Sequence, residues 1–496
     1  MAIVCMTTSL FAQSIQFKQG DKSNKKAYLP EAIHIVEAQQ DGLLLVVEPD
    51  LNAFSVTKAI KVRLCDMEWK DTKSLIIPDT KGYKIKKAFK TGDKLHLLLS
   101  FVDNDFVKLR KISIDAQTLD ITNDEFVVNH EFTAAQRGSL ITTSSPSGSR
   151  HSVVFSLWSD NGGNYVASSK VFLFDNDMKQ LWQQNLKTPE VHEVIVTDRG
   201  EVVTAAMGYM PEQYEDALVL FNLADANGVA AAEFNTHADL SQMALLNYSD
   251  GKVVFTALEG KGDADRARTS IRPGYVEGSR KYSAVHAYSF YIPTSHLVAE
   301  QRHAFTPAEI CCFENKSSAN DTATDNLSYL NQCATEQGGA VIYHRGWMIE
   351  RIDRRTGASN STAHSLGMIV CQVDMDGNFT NITRIRQHNQ NAGLPKVGAD
   401  ILAYKGKLYV VTNESENESD DYTPDVPAKR SSSLIKANTG LSIYAISPDG
   451  AVKKQMLEKK RNALLFTPLF AGSKGMFYFL SGSMKPLLSS VKINDD

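Results

Sequence analysis

Two stretches of this chain concentrate guanidinium groups. Residues 257–283 hold Lys261, Arg266, Arg268, Arg272, Tyr275, Arg280 and Lys281, and residues 344–365 hold His344, Arg345, Trp347, Arg351, Arg354 and Arg355. A guanidinium is a planar fork of donors that grips carboxylate, sulfate or phosphate two bonds at a time. An indole or phenol beside it offers a face on which a sugar or a peptide stacks. Arg266, Arg268, Arg272, Tyr275, Arg345, Trp347, Arg351, Arg354 and Arg355 are therefore the candidate binding residues, and their chemistry suits an anionic ligand. The competing reading leaves these arginines solvated, or pairs them with Asp263, Asp265, Glu350 and Asp353, as charge runs commonly are.

No catalytic motif accompanies them. His192–Glu193 and His344–Arg345 are single contacts, with no Gly-x-Ser-x-Gly nucleophile turn nearby. A glycan-cleaving site would need two carboxyl groups about 5 to 9.5 Å apart across the substrate, contributed by distant parts of the chain. Asp374, Asp376 and Asn378 (DMDGN) resemble the start of a calcium loop, but no Glu stands at the twelfth position and a tight hairpin turn accounts for all three. No Cys and His spacing matches a structural zinc site. No catalytic residue, metal or cofactor is assigned.

The elements that must position the arginines are strands. Short runs rich in Val, Leu, Ile, Phe and Tyr alternate with turn signals along the chain, and no long helical period interrupts them, which reads as all-β. Glycine-bearing turns precede strong strands at Gly42, Gly92, Gly148, Gly200, Gly251, Gly338, Gly406 and Gly475. The first five stand 50, 56, 52 and 51 residues apart, and the later gaps widen to 87, 68 and 69. A second series of turns, at Asp66, Asp115, Asp177, Gly228, Pro293, Gly377 and Gly450, follows other strands of the same units. Each unit thus reads as two hairpins joined by a longer connection, with Gly, Asp and Asn supplying the positive φ that tight turns require.

A four-stranded unit repeated at about 50 residues resembles the blade of a β-propeller. The resemblance covers roughly residues 14–496 and implies architecture without activity. The Gly-His and Trp-Asp pairs of WD40 repeats, the kelch double glycine and the sialidase box are all absent. The count reads as about eight blades, with seven possible. The last unit has room for its second and third strands only, so a strand near Ser14–Lys18 is expected to close the ring from the other end of the chain and cover the open edge. Loops within hairpins lie on one face of such a ring, and loops between strands two and three, or between blades, lie on the other. The long insertions at 257–283, 306–331, 344–365 and 413–440 all belong to the second face and to consecutive blades. Loops of that length are usually functional or disordered, and 413–440 has the composition of a mobile segment.

Composition bounds the rest. The chain has 496 residues, 43% hydrophobic and 22% charged, with a formal net charge of -4. That is a folded protein with a large core and without the basic surplus of a nucleic-acid binder. No apolar run in the body approaches the length of a membrane span. Ala2–Ala12 is apolar and followed by a polar stretch, the pattern of a secretory signal over residues 1–13, although no Lys or Arg precedes it. The cysteines form no dense disulfide framework: Cys65 and Cys371 read as buried thiols, and Cys312 with Cys333 is a possible clip. The expectation is a monomeric, secreted, periplasmic or envelope-associated protein that binds a glycan, an anionic polymer or a protein partner through its insertion-bearing face. A glycan hydrolase or lyase at the axial funnel, or a structural scaffold, are the alternatives.

Overall fold

The computed structural model describes residues 15–22, 33–38, 43–51, 57–66, 70–103, 106–132, 136–161, 164–188, 191–210, 213–260, 281–319, 321–352, 359–392, 399–415, 419–428, 439–458, 470–471, 476–481 and 487–493. Their strands form eight antiparallel sheets, each built on four strands taken in chain order except the last. The chain is an eight-bladed β-propeller.

Blade 1 comprises His34–Ala38, Leu44–Leu51, Thr57–Cys65 and Asp71–Ile77; blade 2 comprises Lys84–Thr91, Lys94–Val102, Phe106–Asp115 and Ile121–Glu131. Blade 3 runs through Gln136–Ser144, Arg150–Asn161, Asn164–Asp175 and Gln180–Asn185, and blade 4 through Glu193–Val196, Val202–Met210, Gln213–Asp225 and Gly228–Asn235. Blade 5 takes Leu240–Ser249, Lys252–Gly260, Lys281–Tyr291 and His296–Ala304, with the short strand Thr324–Asp325 pairing the start of its third strand. Blade 6 is Leu327–Thr335, Gly338–Ile352, Ser359–Asp374 and Phe379–Ala392, and blade 7 is Ala399–Tyr404, Lys407–Ser415, Thr439–Ile446 and Val452–Glu458.

Blade 8 has only three strands from the C-terminal end of the chain, Phe470–Ala471, Met476–Ser481 and Leu487–Ile493. Ile15–Lys22 supplies the fourth, running antiparallel to the last strand with Ile15 opposite Ile493 and Phe17 opposite Val491. Closure by an N-terminal strand is thus present, longer than the sequence implied. Of the eight glycine turns, those at Gly92, Gly148, Gly200, Gly251, Gly338 and Gly406 fall where a first strand passes to a second, Gly42 and Gly475 lie outside the described residues, and the seven turns of the other series fall where a third strand passes to a fourth.

The core lies between blades, because each sheet is buried on both faces by its neighbours. Leu45, Val47 and Val62 of blade 1 meet Leu95, Leu97 and Ile112 of blade 2. At the junction of blades 4 and 5, Phe221 and Phe234 interleave with Phe255, Tyr288 and Phe290, with ring centroids of Phe255 and Tyr288 4.9 Å apart. Full burial of each such ring contributes about 2–3 kcal/mol. This two-sided burial explains why second strands read as unbroken apolar runs instead of alternating ones.

The structure departs from the sequence reading in four places. Residues 344–352 and 359–365 are strand, not loop. Gly338–Ile352 and Ser359–Asp374 stay paired out to Ile352 and Ser359, with one bulge between His344 and Gly346, so the insertion is a prolonged hairpin. The 306–331 connection contains a helix, α1 (Pro307–Glu314), whose Thr306 and Glu309 form a reciprocal capping box with proline in the first turn. Ser419–Ala428 of the 413–440 insertion packs on the sheets, as described below. The Cys312–Cys333 clip is absent: both thiols are free, Cys312 lying 3.5 and 3.4 Å from the carbonyls of Met368 and Ile385 under α1, and Cys333 on the inner strand of blade 6. Cys65 and Cys371 are buried thiols, as read. The segment expected as a secretory signal lies outside the described residues, and among those residues no helix is long and apolar enough to cross a membrane.

Candidate binding face over blades 5 to 7

Connections from three successive blades are tied together on one face. Helix α1 lies on the third strand of blade 6 at Gly367, where a side-chain carbon would stand 1.9 Å from the Cys312 carbonyl oxygen. Only glycine permits that approach, and it lets Ile310 and Phe313 bury completely. The helix ends on Asn315 in the left-handed conformation, φ 51°. The Asn315 amide then grips blade 7's insertion at both ends: Ala428 N–H donates to its Oδ1 at 2.7 Å, and its Nδ2 donates to the Ala428 carbonyl at 3.0 Å. Arg386, on the outer strand of blade 6, donates to the Pro424 and Lys316 carbonyls and so joins both connections. Tyr422 donates to the Arg384 carbonyl at 2.8 Å, and Arg384 pairs with the exposed Asp425 at 2.7 Å.

These contacts leave a small crevice lined by Arg386, Tyr422, Pro424, Val426, Tyr444 and Lys454. Tyr422 and Tyr444 meet edge to face at 6.2 Å, and burial pushes the Tyr422 phenol up to about 12. Behind the crevice lies a buried ion pair between Lys454 and Glu414 at 2.8 Å. The Ser442 hydroxyl donates to the same carboxylate at 2.9 Å, and the Tyr444 hydroxyl donates to its other oxygen. Satisfied lone pairs are what make a buried ion pair tolerable.

Of the arginine-loop residues, Arg345 is described in full. It is mostly buried, and its guanidinium holds Asp325 through both Nε, at 3.1 Å, and Nη2. That pair fastens the Thr324–Asp325 strand to the blade 6 hairpin. Trp347 and Arg351 lie in the second strand of blade 6, opposite His364 and Asn360. Arg266, Arg268, Arg272, Tyr275, Arg354 and Arg355 lie outside the described residues. Arg384, Arg386 and Lys454 were missed because they sit on outer strands, Tyr422 because its segment reads as mobile by composition, and Tyr444 because it stands in the apolar third strand of blade 7. The Thr-Pro-x-Glu signature of α1 at residues 306–309 was the available signal for that helix.

The discounted pairs are accounted for structurally. His192 Nδ1 accepts from the Met207 N–H at 3.2 Å, and His344 is enclosed beside Ser328, with burial lowering its imidazole to about 4. Asp374 accepts from the N–H groups of Asp376 and Asn378, so it caps its own turn. Among the described residues no group of three or more potential ligands could hold a metal ion.

Among the described side chains, two carboxylates stand on inner strands, nearer the axis. Asp400 is buried, and its Oδ1 accepts from Asn331 Nδ2 and from Ile401 N–H at 2.8 Å, bracing blade 6 to blade 7. Glu193, the first inner-strand residue of blade 4, reaches past blade 5 to blade 6, where Gln332 Nε2 donates to it at 3.3 Å. Burial raises the Glu193 carboxyl to about 8, against the smaller lowering by Gln332. Gln332 Oε1 has no partner among the described residues, which leaves an acceptor beside the proton that a neutral Glu193 carries. The sheet distorts where this happens: Gln242 of blade 5 has φ 54° within a bulge, and accepts from Tyr329 N–H.

No family model matches the chain, and no curated protein matches it. Solved structures align with the chain at low identity. The Dos1 propeller aligns over 96% of both chains at 8% identity with a TM-score of 0.39. The β-propeller domain of the Trilobed protease from Pyrococcus furiosus aligns over 83% of this chain and 96% of its own, at 10% identity and 0.33. The polysaccharide lyase Uly1 covers 83% of this chain and 90% of its own, at 8% and 0.36. Likenesses of this degree say nothing about activity.

Proposed function

We propose that this propeller is a secreted or envelope-associated binding protein whose face over blades 5 to 7 takes an anionic glycan or similar polymer. One observation carries the reading: segments from three consecutive blades are braced into one surface that gathers Arg386, Lys454, Tyr422 and Tyr444 around a crevice, with Arg384 beside it through Tyr422 and Asp425. Cationic forks and phenol faces are the groups that recognise sulfated or uronic sugars. Arg384 is the cation best placed to exchange partners, because its carboxylate, Asp425, is largely exposed. The prolonged blade 6 hairpin, bearing Trp347 and Arg351, extends the same face.

The test is retention on immobilised polysaccharides (sulfated, uronic and neutral), with released products scored in the same samples. Retention on the anionic polymers, falling with salt and weakened about tenfold by Arg384→Ala, supports the reading. Equal retention on the neutral polymer, or none at all, counts against it. The Glu193 carboxyl favours a second reading, a hydrolase or lyase acting at the axis, since a carboxyl held protonated at neutral pH has the character of a general acid. Asp400 weighs against a carboxylate pair there, because its bonds are spent between blades. Product release that Glu193→Gln abolishes would bring the second reading forward.

A further inference from the structure

A separate cluster lies at the junction of blades 2 and 3, toward the face that carries the short turns. Ser144 ends the inner strand of blade 3, directly before the turn that leads to His151, its cross-strand partner. Its Oγ lies 2.5 Å from His151 Nδ1 and within hydrogen-bonding distance of Lys87 Nζ from the inner strand of blade 2. Consecutive strand residues normally point to opposite faces. Here a bulge between Ile85 and Lys87 breaks that alternation. Lys86 and Lys87 both reach blade 3's inner strand, Lys86 donating to the Leu140 carbonyl at 3.2 Å.

The surroundings set the protonation states. His151 is 2% exposed and stacks on Phe89 at 3.8 Å, with His96 (1% exposed) on Phe89 as well. Lys87 and Ser144 both keep part of their surface open to solvent. The charged and titratable groups around Lys87 are His34 from blade 1, Lys84 and Lys86 on its own strand, His96 from the next strand and His151 from blade 3. Among the described residues no carboxylate acts on it, and burial lowers its amine to about 8. Burial holds His34 and His96 at about 4 and His151 at about 3, so these imidazoles are neutral where Lys87 titrates.

We propose that Ser144 is a nucleophilic serine with Lys87 as its general base, accepting acyl groups from small esters that enter at the short-turn mouth of the axis. A serine hydroxyl is a weak nucleophile until a neighbouring base takes its proton. When Lys87 is protonated it donates to Ser144 Oγ, whose own proton rests on His151 Nδ1. When Lys87 is neutral it accepts the hydroxyl proton while Oγ bonds to the acyl carbon. The tetrahedral adduct then breaks its bond to the alcohol oxygen, and Lys87 returns the proton to the departing alcohol. Water repeats the two steps on acyl-Ser144 and releases the acid. No oxidant, metal or further reactant is needed. This activity is independent of ligand binding over blades 5 to 7, which lies on the opposite face.

The experiment is labelling of the full chain with a fluorophosphonate, followed by peptide mapping between pH 6 and 9.5. The probe loses fluoride as Oγ bonds to phosphorus. One adduct per chain on Ser144 is expected, with a rate that is half-maximal near pH 8 and rises about elevenfold from pH 7 to a plateau above about pH 9. Ser144→Ala removes the adduct. Lys87→Arg keeps a cation but no base at neutral pH, and lowers the rate about a hundredfold. Its thermal midpoint, measured in parallel, shows whether the fold is retained. A small aryl ester should be hydrolysed with the same pH profile and the same dependence on both residues. Absence of the Ser144 adduct at pH 9, a rate in a folded Lys87→Arg variant equal to wild type, or an adduct on Lys87 in place of Ser144 overturns the proposal.

Discussion

Glu193 carries the sharpest consequence for stability, since its carboxyl is held at about 8 where an unfolded chain would titrate near 4.5. The native state keeps its proton across that window and the unfolded state loses it, so stability falls as pH rises from 4.5 to 8 and is level beyond. At about 1.36 kcal/mol per pH unit, the uncorrected cost is about 3 kcal/mol at pH 7 and between about 4 and 5 above pH 8. The side chain is only partly buried, so solvent screens part of this, and about 2 kcal/mol at pH 7 and about 3 at pH 9 is the expectation. Glu193→Gln keeps an amide partner for Gln332 and removes the titration. For a chain of 496 residues, an unfolding entropy of about 2 cal/mol/K per residue gives roughly 1 °C per kcal/mol. Scanning calorimetry should therefore find the variant unchanged at pH 5, about 2 °C higher at pH 7 and about 3 °C higher at pH 9. Parallel curves for the two proteins across that range would refute the reasoning, and with it the general-acid reading of this residue.

Three further changes test other parts of the fold. Gly367→Ala places a methyl group against the Cys312 carbonyl, so α1 must lift; a loss of about 3 kcal/mol and new proteolytic cleavage within residues 306–325 are expected, and an intact digestion pattern would contradict the packing. Glu414→Ala strands Lys454 without its buried partner and should cost about 3–5 kcal/mol, whereas Glu414→Gln with Lys454→Met should be nearly neutral in thermal midpoint. Burial lowers His151 to about 3 and His96 to about 4. The unfolded chain binds those protons first, so their contribution is present above pH 6.5 and is lost as pH falls toward 4. At pH 4 His151 alone accounts for about 3 kcal/mol, and His151→Gln should flatten the acid limb of a stability-against-pH curve.

The blades were legible because hairpin turns are local. A left-handed residue between two apolar runs marks a turn whatever lies around it, so Gly92, Gly148, Gly200, Gly251 and Gly406, all with φ between 55° and 89°, marked five of the repeats before any contact was known. The closing strand was legible from a deficit, since a unit with too few strands needs one from elsewhere. Chemistry is another matter, because it joins residues with no spacing in common. Glu193 meets Gln332 at a separation of 139 residues, Asn315 meets Ala428 at 113, and Lys87 meets Ser144 at 57. Composition misled for the same reason. Ser419–Ala428 reads as mobile by its polar residues, yet Asn315 and Arg386 hold it in place, and neither lies in its own blade. In a ring of sheets each blade's polar residues take their meaning from the next blade, so the repeat that exposes the architecture conceals the site. The charge-rich runs belong to the same blades as the crevice but do not supply its lining: Arg345 fastens a strand, while Arg386, standing singly on an outer strand, lines the crevice, with Arg384 beside it through Tyr422 and Asp425.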